Sequence, residues 1–386
     1  MVLDADALVE RATGEAGIDA SFLEGLRPTL PILLDDIAAS ATLKDGARDQ
    51  ITQFVVATLV ARLRVEDWHA RHPEIGRQPV ERPLFILGMP RAGTTLLFNM
   101  LCLDPRRRVF WHWEGNREIP PVERARLHDD PRIALRVAEV EAMLDSGALP
   151  RNHHVELGDE PTECIWTLGQ DFKAYPWLVQ THVPNYFEWL VHEADMVEAY
   201  RYHRRVLQVL QSQAPGWWTL KLPSHALVVE AILKVYPDAR FVFTHRDPIK
   251  PVGSSCSLVD QIMAQQNRTV DRVAIGYQTA KLVALSAERM LKARDNHADV
   301  PFLDLHYTAF VSDPMAAIHR LYAFIERDLP PDIAHRMERA LIEHEAVRNT
   351  HGAHRYRLED YGLSRAALEP MFADYVERYQ IERERD

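Results

Sequence analysis

Across 386 residues, 47% are hydrophobic and 26% are charged, and 45 basic residues face 56 acidic ones for a net charge of −11. That balance excludes a disordered chain and supplies a sizeable core, in one large domain or two ordinary ones. The acidic excess excludes a broad polyanion-binding face of the kind nucleic acid requires, but not a local basic pocket for a small anion.

Three scattered cysteines, Cys102, Cys164 and Cys256, make neither a disulfide framework nor a zinc site, and read as buried thiols in a reducing compartment. The first residues, MVLDADALVERATGEAG, carry no basic leader and no apolar stretch. No segment approaches the ~18 apolar residues of a membrane span. The expectation is a cytoplasmic chain.

Residues 4–15 and 45–64 place apolar side chains at helical spacing and predict a helical preface within 1–78. The proline-bearing stretch HPEIGRQPVERP is a connector. Leu84 to Leu87 is then a continuous apolar run of strand length, Gly88 to Gly93 punctuate it, and Thr94 to Leu103 resume helical spacing. From 79 to 386 the pattern predicts an α/β domain: a central parallel sheet of about five strands flanked by helices. A mostly helical insertion at about 115–215 interrupts it. Trp111, Trp113, Trp166, Trp177 and Trp189 gather in or beside that insertion, with Phe172, Tyr175, Tyr186 and Phe187. Together they could wall a pocket; for any single one, a place in the core is the better reading.

Trp217 to Leu220 predicts a short strand, and Ser224 to Tyr236 a helix capped by Ser224. Arg240 to His245 predicts a buried strand, Pro301 to His306 another, and Pro314 to Glu326 a helix. The remainder reads as helix, with a glycine-bearing basic loop, RNTHGAHRYR, near residue 350.

The segment Gly88-Met-Pro-Arg91-Ala92-Gly93-Thr94-Thr95 follows a strand and opens a helix. There, glycines let backbone N–H groups turn inward around an anion, and the helix N-terminus adds positive potential. Its spacing matches the nucleotide-triphosphate loop GxxxxGK[ST], with Thr94 at the lysine position. The positive charge comes instead from Arg91. That substitution argues against an ordinary ATPase or kinase and implies no magnesium. The absence of GxGxxG argues against a dinucleotide site.

In RFVFTHRDPIKPVGSSCSL, Arg246 stands just beyond a buried strand and Ser254 eight residues on, in the first turns of the next helix. Ligands of open parallel sheets sit beyond the carboxyl ends of the strands, so the two could hold a second phosphate. The plainer reading is a local Arg246–Asp247 pair with serines starting a helix. Two anion sites at one sheet edge suit a nucleotide phosphorylated at both ends.

PRAGTT followed by FVFTHRDPxxxVxSxxSL resembles the sulfotransferases that use 3′-phosphoadenosine 5′-phosphosulfate (PAPS), over roughly residues 80–380. The nearer resemblance is to the bacterial branch related to tyrosylprotein sulfotransferases. It implies that fold, with Arg91, Ala92, Gly93, Thr94 and Thr95 on the 5′ side of the nucleotide and Arg246 and Ser254 on its 3′-phosphate. It implies that Lys221, in WTLKLP, touches the transferring sulfuryl group and the bridging oxygen, and that Glu114, in FWHWEGNREIP, is the general base. Tyr307 resembles an aromatic residue near the nucleotide. The segment Arg348 to Tyr356, with Gly352, resembles a stretch that closes over it, although the RKG sequence of the cytosolic branch is replaced by Arg348-Asn-Thr-His-Gly352. His154, Glu160 and Glu163 could meet the acceptor, or serve as caps and turn residues.

The implied reaction is in-line sulfuryl transfer to a hydroxyl without a metal. Lys221 and Arg91 would offset charge on the leaving oxygen, and Glu114 would take the acceptor's proton. The acceptor could be a small molecule, lipid, carbohydrate or peptide hydroxyl. Competing readings are a kinase-like enzyme and a catalytically silent nucleotide-binding protein on the same fold.

Overall fold

The computed structural model describes residues 3–147, 149, 155–350 and 356–384, without the side chains of 345–350. The chain forms two compact units. One contains Met1–Val80, Phe110–Gly216 and Val259–Asp271; the other contains Glu81–Val109, Trp217–Leu258 and Arg272–Asp386.

The first unit is helical. Its long helix Ala47–Arg71 buries Ile51, Val55, Leu59 and Leu63, spaced by four so that they share one face. Helices Ala5–Ala16, Ile165–Gln170 and Met196–Gln211 pack against it. Asp4 caps the first of them by accepting from the Ala7 N–H at 2.8 Å, as Asp does where the first-turn N–H groups lack helical acceptors. The sequence reading assigns no helix to Thr29–Ala39, which buries Leu30, Leu33, Leu34 and Ile37 at helical spacing; Pro31 in its first turn masks that signal.

The aromatic residues of the insertion divide between the two roles open to them. Trp113, Trp177, Phe172, Tyr186 and Phe187 are core. Trp177 stacks on Phe172 with centroids 4.7 Å apart and donates its indole N–H to the Gly169 carbonyl at 3.1 Å, which satisfies its polar edge inside the core. Trp111, Trp166, Trp189 and Tyr175 are half-buried.

The second unit carries the sheet: β1 Leu84–Gly88, β2 Arg107–Arg108, β3 Trp217–Lys221, β4 Arg240–His245 and β5 Phe302–His306. All pairings are parallel, in the order β2-β3-β1-β4-β5. Strand β1 is buried along its whole length, as its apolar run requires at the centre of a sheet covered on both faces. Phe85, Phe241 and Phe302 are register partners across β1, β4 and β5, and their rings form a row with centroids 5.7 and 4.8 Å apart. The chain leaves β1 toward β2 on one side and passes from β3 to β4 on the other. The chain leaves β4 toward β5 on the other side of β1, so the direction of winding reverses between β1 and β4, at whose carboxyl ends open parallel sheets bind ligands.

Three sequence expectations change. The stretch 224–236 is not one helix: a 3-10 turn Pro223–Leu227 and a helix Val229–Val235 meet at Val228, with φ −140° and ψ 26°. Ser224 caps neither. Leu222 still pairs with β1, donating to the Ile86 carbonyl at 3.2 Å, so the chain leaves the sheet late, and the β-branched pair Val228–Val229 resists helical continuation. The stretch 348–350 continues the helix Pro331–Thr350 rather than opening a loop. Cys164 and Cys256 are buried, but Cys102 is only half-buried. Among the described residues, no helix is long and apolar enough to cross a membrane.

Candidate functional site

Strand β1 delivers the chain to Gly88, whose φ of +142° only glycine adopts readily. A Cβ there would lie 2.5 Å from the Thr244 carbonyl oxygen, so β4 leaves no room for a side chain. The turn closes through the Ala92 N–H to the Met89 carbonyl at 3.3 Å. Arg91 sits in the left-handed region at φ +61°, an uncommon place for a residue with a Cβ, and its side chain is exposed. Gly93, at φ +83°, opens the helix Thr94–Cys102; a Cβ on it would meet the rings of Tyr307 and Phe310 at 3.2 and 3.3 Å. The first helical bond runs from the Leu97 N–H to the Gly93 carbonyl at 3.1 Å. The N–H groups from Gly93 to Leu96 therefore have no helical acceptor, and the helix dipole favours an anion at this end. Thr94 is buried and Thr95 is exposed.

Lys221 ends β3 in register with Ile86 of β1 and is 2% exposed. Its ammonium donates to Thr95 Oγ1 at 3.2 Å and lies 5.8 Å from the Phe98 ring centroid. The sheet thus carries a buried cation to the first turn of the loop's own helix. Cys102 stands at the other end of that helix. Burial pushes its thiol up, against the opposing pull of Arg107 and Lys221, so it is no thiolate nucleophile.

Arg246 follows β4. Its backbone N–H reaches the Tyr375 hydroxyl at 3.4 Å, and its guanidinium lies 4.1 Å from the Tyr307 ring centroid. Nη1 donates to the Arg91 carbonyl at 2.6 Å, while Nε and Nη2 donate to the two oxygens of Glu384 at 2.6 and 2.7 Å. Asp247 pairs elsewhere: it accepts from the Ile249 N–H at 3.0 Å and from Arg365 at 3.4 Å. The local Arg246–Asp247 pair open to the sequence reading is thus replaced by an arginine turned toward the loop. Ser254 is half-buried in the helix Ile249–Gln266. Beside it, Gly253 admits the ring of Tyr356, where a Cβ would lie 2.1 Å from that ring, and the Tyr356 hydroxyl donates to the Lys250 carbonyl at 3.1 Å.

The second unit therefore gathers Arg91, Ala92, Gly93, Thr94, Thr95, Lys221, Arg246 and Tyr307 at one sheet edge, with Ser254 on the helix that follows. The Arg348 side chain and Gly352 lie outside the described residues, as does His154. Glu384, Tyr375 and Phe310 carry no motif, and the sequence pattern left them unassigned.

Glu114 belongs to the helical unit. It closes the 3-10 turn His112–Glu114 and is 0% exposed, with Oε2 accepting from the Trp111 N–H at 3.0 Å. Residues 110–113 are pinned by 158–162, through His112 N–H to the Glu160 carbonyl at 2.9 Å and Thr162 N–H to the Phe110 carbonyl at 2.8 Å. Gly115 fits because a Cβ would lie 2.5 Å from the Trp166 ring. Glu160 itself accepts from the Leu157 N–H at 2.8 Å, a turn-closing role. Four residues past Glu114, Glu118 is 2% exposed and accepts from Gln170 Nε2 at 2.7 Å and from the Asn116 N–H at 3.2 Å. Burial first, and Glu114 as a lesser cause, push the Glu118 carboxyl up to about 7.

The loop and its cations fit the phosphates of a nucleotide: glycines at positive φ packed too closely on β4, Tyr307 and Phe310 to bear a Cβ, an anion-favouring helix start, one buried ammonium and one guanidinium over the Tyr307 ring. The comparisons with known proteins agree on the class. The model of the Sulfotransferase family matches residues 83–332. Sulfotransferase STF9 from Mycobacterium avium is 35% identical with a TM-score of 0.88, over 99% of this chain and 98% of that one. Sulfotransferase STF1 from Mycobacterium tuberculosis H37Rv is 27% identical with a TM-score of 0.83, over 97% and 99%. The omega-hydroxy-beta-dihydromenaquinone-9 sulfotransferase Stf3 of Mycobacterium tuberculosis is 24% identical over 334 residues, 78% of this chain and 76% of the relative. With its five-stranded parallel sheet and that family model over most of its length, this chain belongs to the sulfotransferase family.

Proposed function

We propose that the chain transfers a sulfuryl group from PAPS to a hydroxyl of a small-molecule or lipid acceptor. The observation that carries this reading is the Lys221 ammonium 3.2 Å from Thr95 Oγ1, at the first turn of a helix that already favours anions. When bound, PAPS supplies an activated sulfuryl group on a phosphosulfate bridge. The Gly93 to Leu96 N–H groups, the threonine hydroxyls and Arg91 would hold the 5′ side. Arg246, with Ser254 and Tyr307, would hold the 3′ side. Lys221 would stabilise negative charge as it develops on the leaving oxygen. The family resemblance alone makes Glu114, 0% exposed in the helical unit, the candidate general base.

Thr94 at the lysine position of the loop disfavours a kinase reading. For the acceptor, the name of Stf3 points to a hydroxylated lipid quinone in that relative. Transfer to a lipid-borne or small alcohol is therefore proposed here ahead of transfer to a polysaccharide, which the net charge of −11 would repel if the polymer were already sulfated. The test is mass spectrometry of a cell extract incubated with the protein and isotopically labelled PAPS. The expected result is newly labelled sulfate esters that are missing when Arg91→Ala replaces the wild type. Equal labelling by the two proteins would sink the assignment of Arg91.

A further inference from the structure

Arg246 carries five N–H donors, of which three are engaged by the acceptors described above. Two of those three, on Nε and Nη2, form a fork that matches paired oxygens of a phosphate as well as those of a carboxylate. In this structure the fork holds Glu384. The glutamate is not merely a passing partner. Its own N–H donates to Asp247 Oδ2 at 2.9 Å, and Asp247 is fixed in turn by the Ile249 N–H and by Arg365. The residue beside Arg246 thus anchors the backbone that brings a carboxylate onto Arg246. Both partners of the pair are largely covered, at 19% and 22% side-chain exposure.

We infer that Glu384 is a tethered competitor for the nucleotide's 3′-phosphate, and that it sets the affinity of the site for 3′-phosphorylated nucleotides. This rests on the assignment of Arg246 to the 3′-phosphate. A phosphate arriving at the same guanidinium meets a carboxylate already in the fork, and its negative charge is repelled until the carboxylate leaves. The nucleotide binds only the fraction of molecules whose fork is open, so its apparent affinity is lowered by that fraction. Among the described contacts, the two N–H donors engaged by neither Glu384 nor the Arg91 carbonyl remain for the first encounter.

Isothermal titration calorimetry with adenosine 3′,5′-bisphosphate and with adenosine 5′-monophosphate tests this on the wild type, Glu384→Gln, Glu384→Ala and Arg246→Ala, with thermal midpoints recorded for each. The expected result is bisphosphate binding about fivefold tighter in both Glu384 variants, which corresponds to ~1 kcal/mol, the upper range for a partly exposed ion pair. Monophosphate binding should not change. Unchanged bisphosphate binding overturns the inference. Weaker binding overturns it too, and would make Glu384 a residue that positions Arg246. Equal tightening for both nucleotides also overturns it, since a general charge effect would then suffice. In Arg246→Ala the preference for bisphosphate over monophosphate should disappear. If that preference survives, the assignment of Arg246 falls, whereas if it disappears while the Glu384 variants bind as wild type, only the competitor falls.

Discussion

Replacing Lys221 by methionine isolates its charge. The side chain is 2% exposed, and its stem lies near Phe98 with the ammonium 5.8 Å from the ring centroid. Methionine keeps an unbranched stem of similar volume, so the fold should lose no more than about 1 kcal/mol, and removal of a buried cation works in the opposite direction. What disappears is a donor from a buried side chain, held 3.2 Å from Thr95 Oγ1. A preorganised donor of this kind stabilises developing charge by ~3 kcal/mol, or about a hundredfold in rate. The assay is single-turnover transfer of labelled sulfate at saturating PAPS, with the thermal midpoint as the control for folding. The rate should fall about a hundredfold with the midpoint nearly unchanged. A rate within about threefold of wild type in a folded variant would refute the role of Lys221, because no other group should replace a charge worth that much.

Two predictions concern the helical unit. Asp171 bridges Arg62 at 2.6 Å and Lys173 at 2.6 Å, with all three side chains at 6% exposure or less. Asp171→Ala leaves two buried cations without their shared carboxylate and should cost roughly 3–5 kcal/mol, read as a lower urea midpoint; a loss under ~1 kcal/mol would show that water reaches the pair. Glu118 predicts the sign of a pH effect. Its folded pKa of about 7 lies above the ordinary 4.5, so the folded chain binds more protons than the unfolded chain between those values. Stability should fall as pH rises through that window, by roughly 3 kcal/mol at most. Glu118→Gln keeps an oxygen for Gln170 and the Asn116 N–H, and should flatten that slope in urea melts from pH 4 to 8; an unchanged slope would assign it to another group.

Much of the sheet unit was legible in the sequence because its signals are local. A continuous apolar run reads as a strand buried on both faces, and β1 and β4 are such strands. Glycines at both ends of the loop read as a tight turn, and Gly88 and Gly93 make it at positive φ. Boundaries drifted where local signals conflict, as at Val228, where β-branched residues interrupt a helical period.

Sequence alone therefore determined the strand–loop–helix architecture and the identity of the candidate anion-binding side chains, since backbone preference and residue chemistry are properties of short segments. Tertiary structure alone decided which distant segments meet. It joined the preface and the insertion in one helical unit, buried Trp113 and Trp177 as core, and turned Arg246 toward Glu384 and the Arg91 carbonyl instead of its neighbour Asp247. The physical reason is that these outcomes depend on competition among partners far apart along the chain. The net charge of −11 shows the same division: it excludes a broad basic face, but only the folded sheet brings Lys221 to Thr95 and Arg246 to the loop.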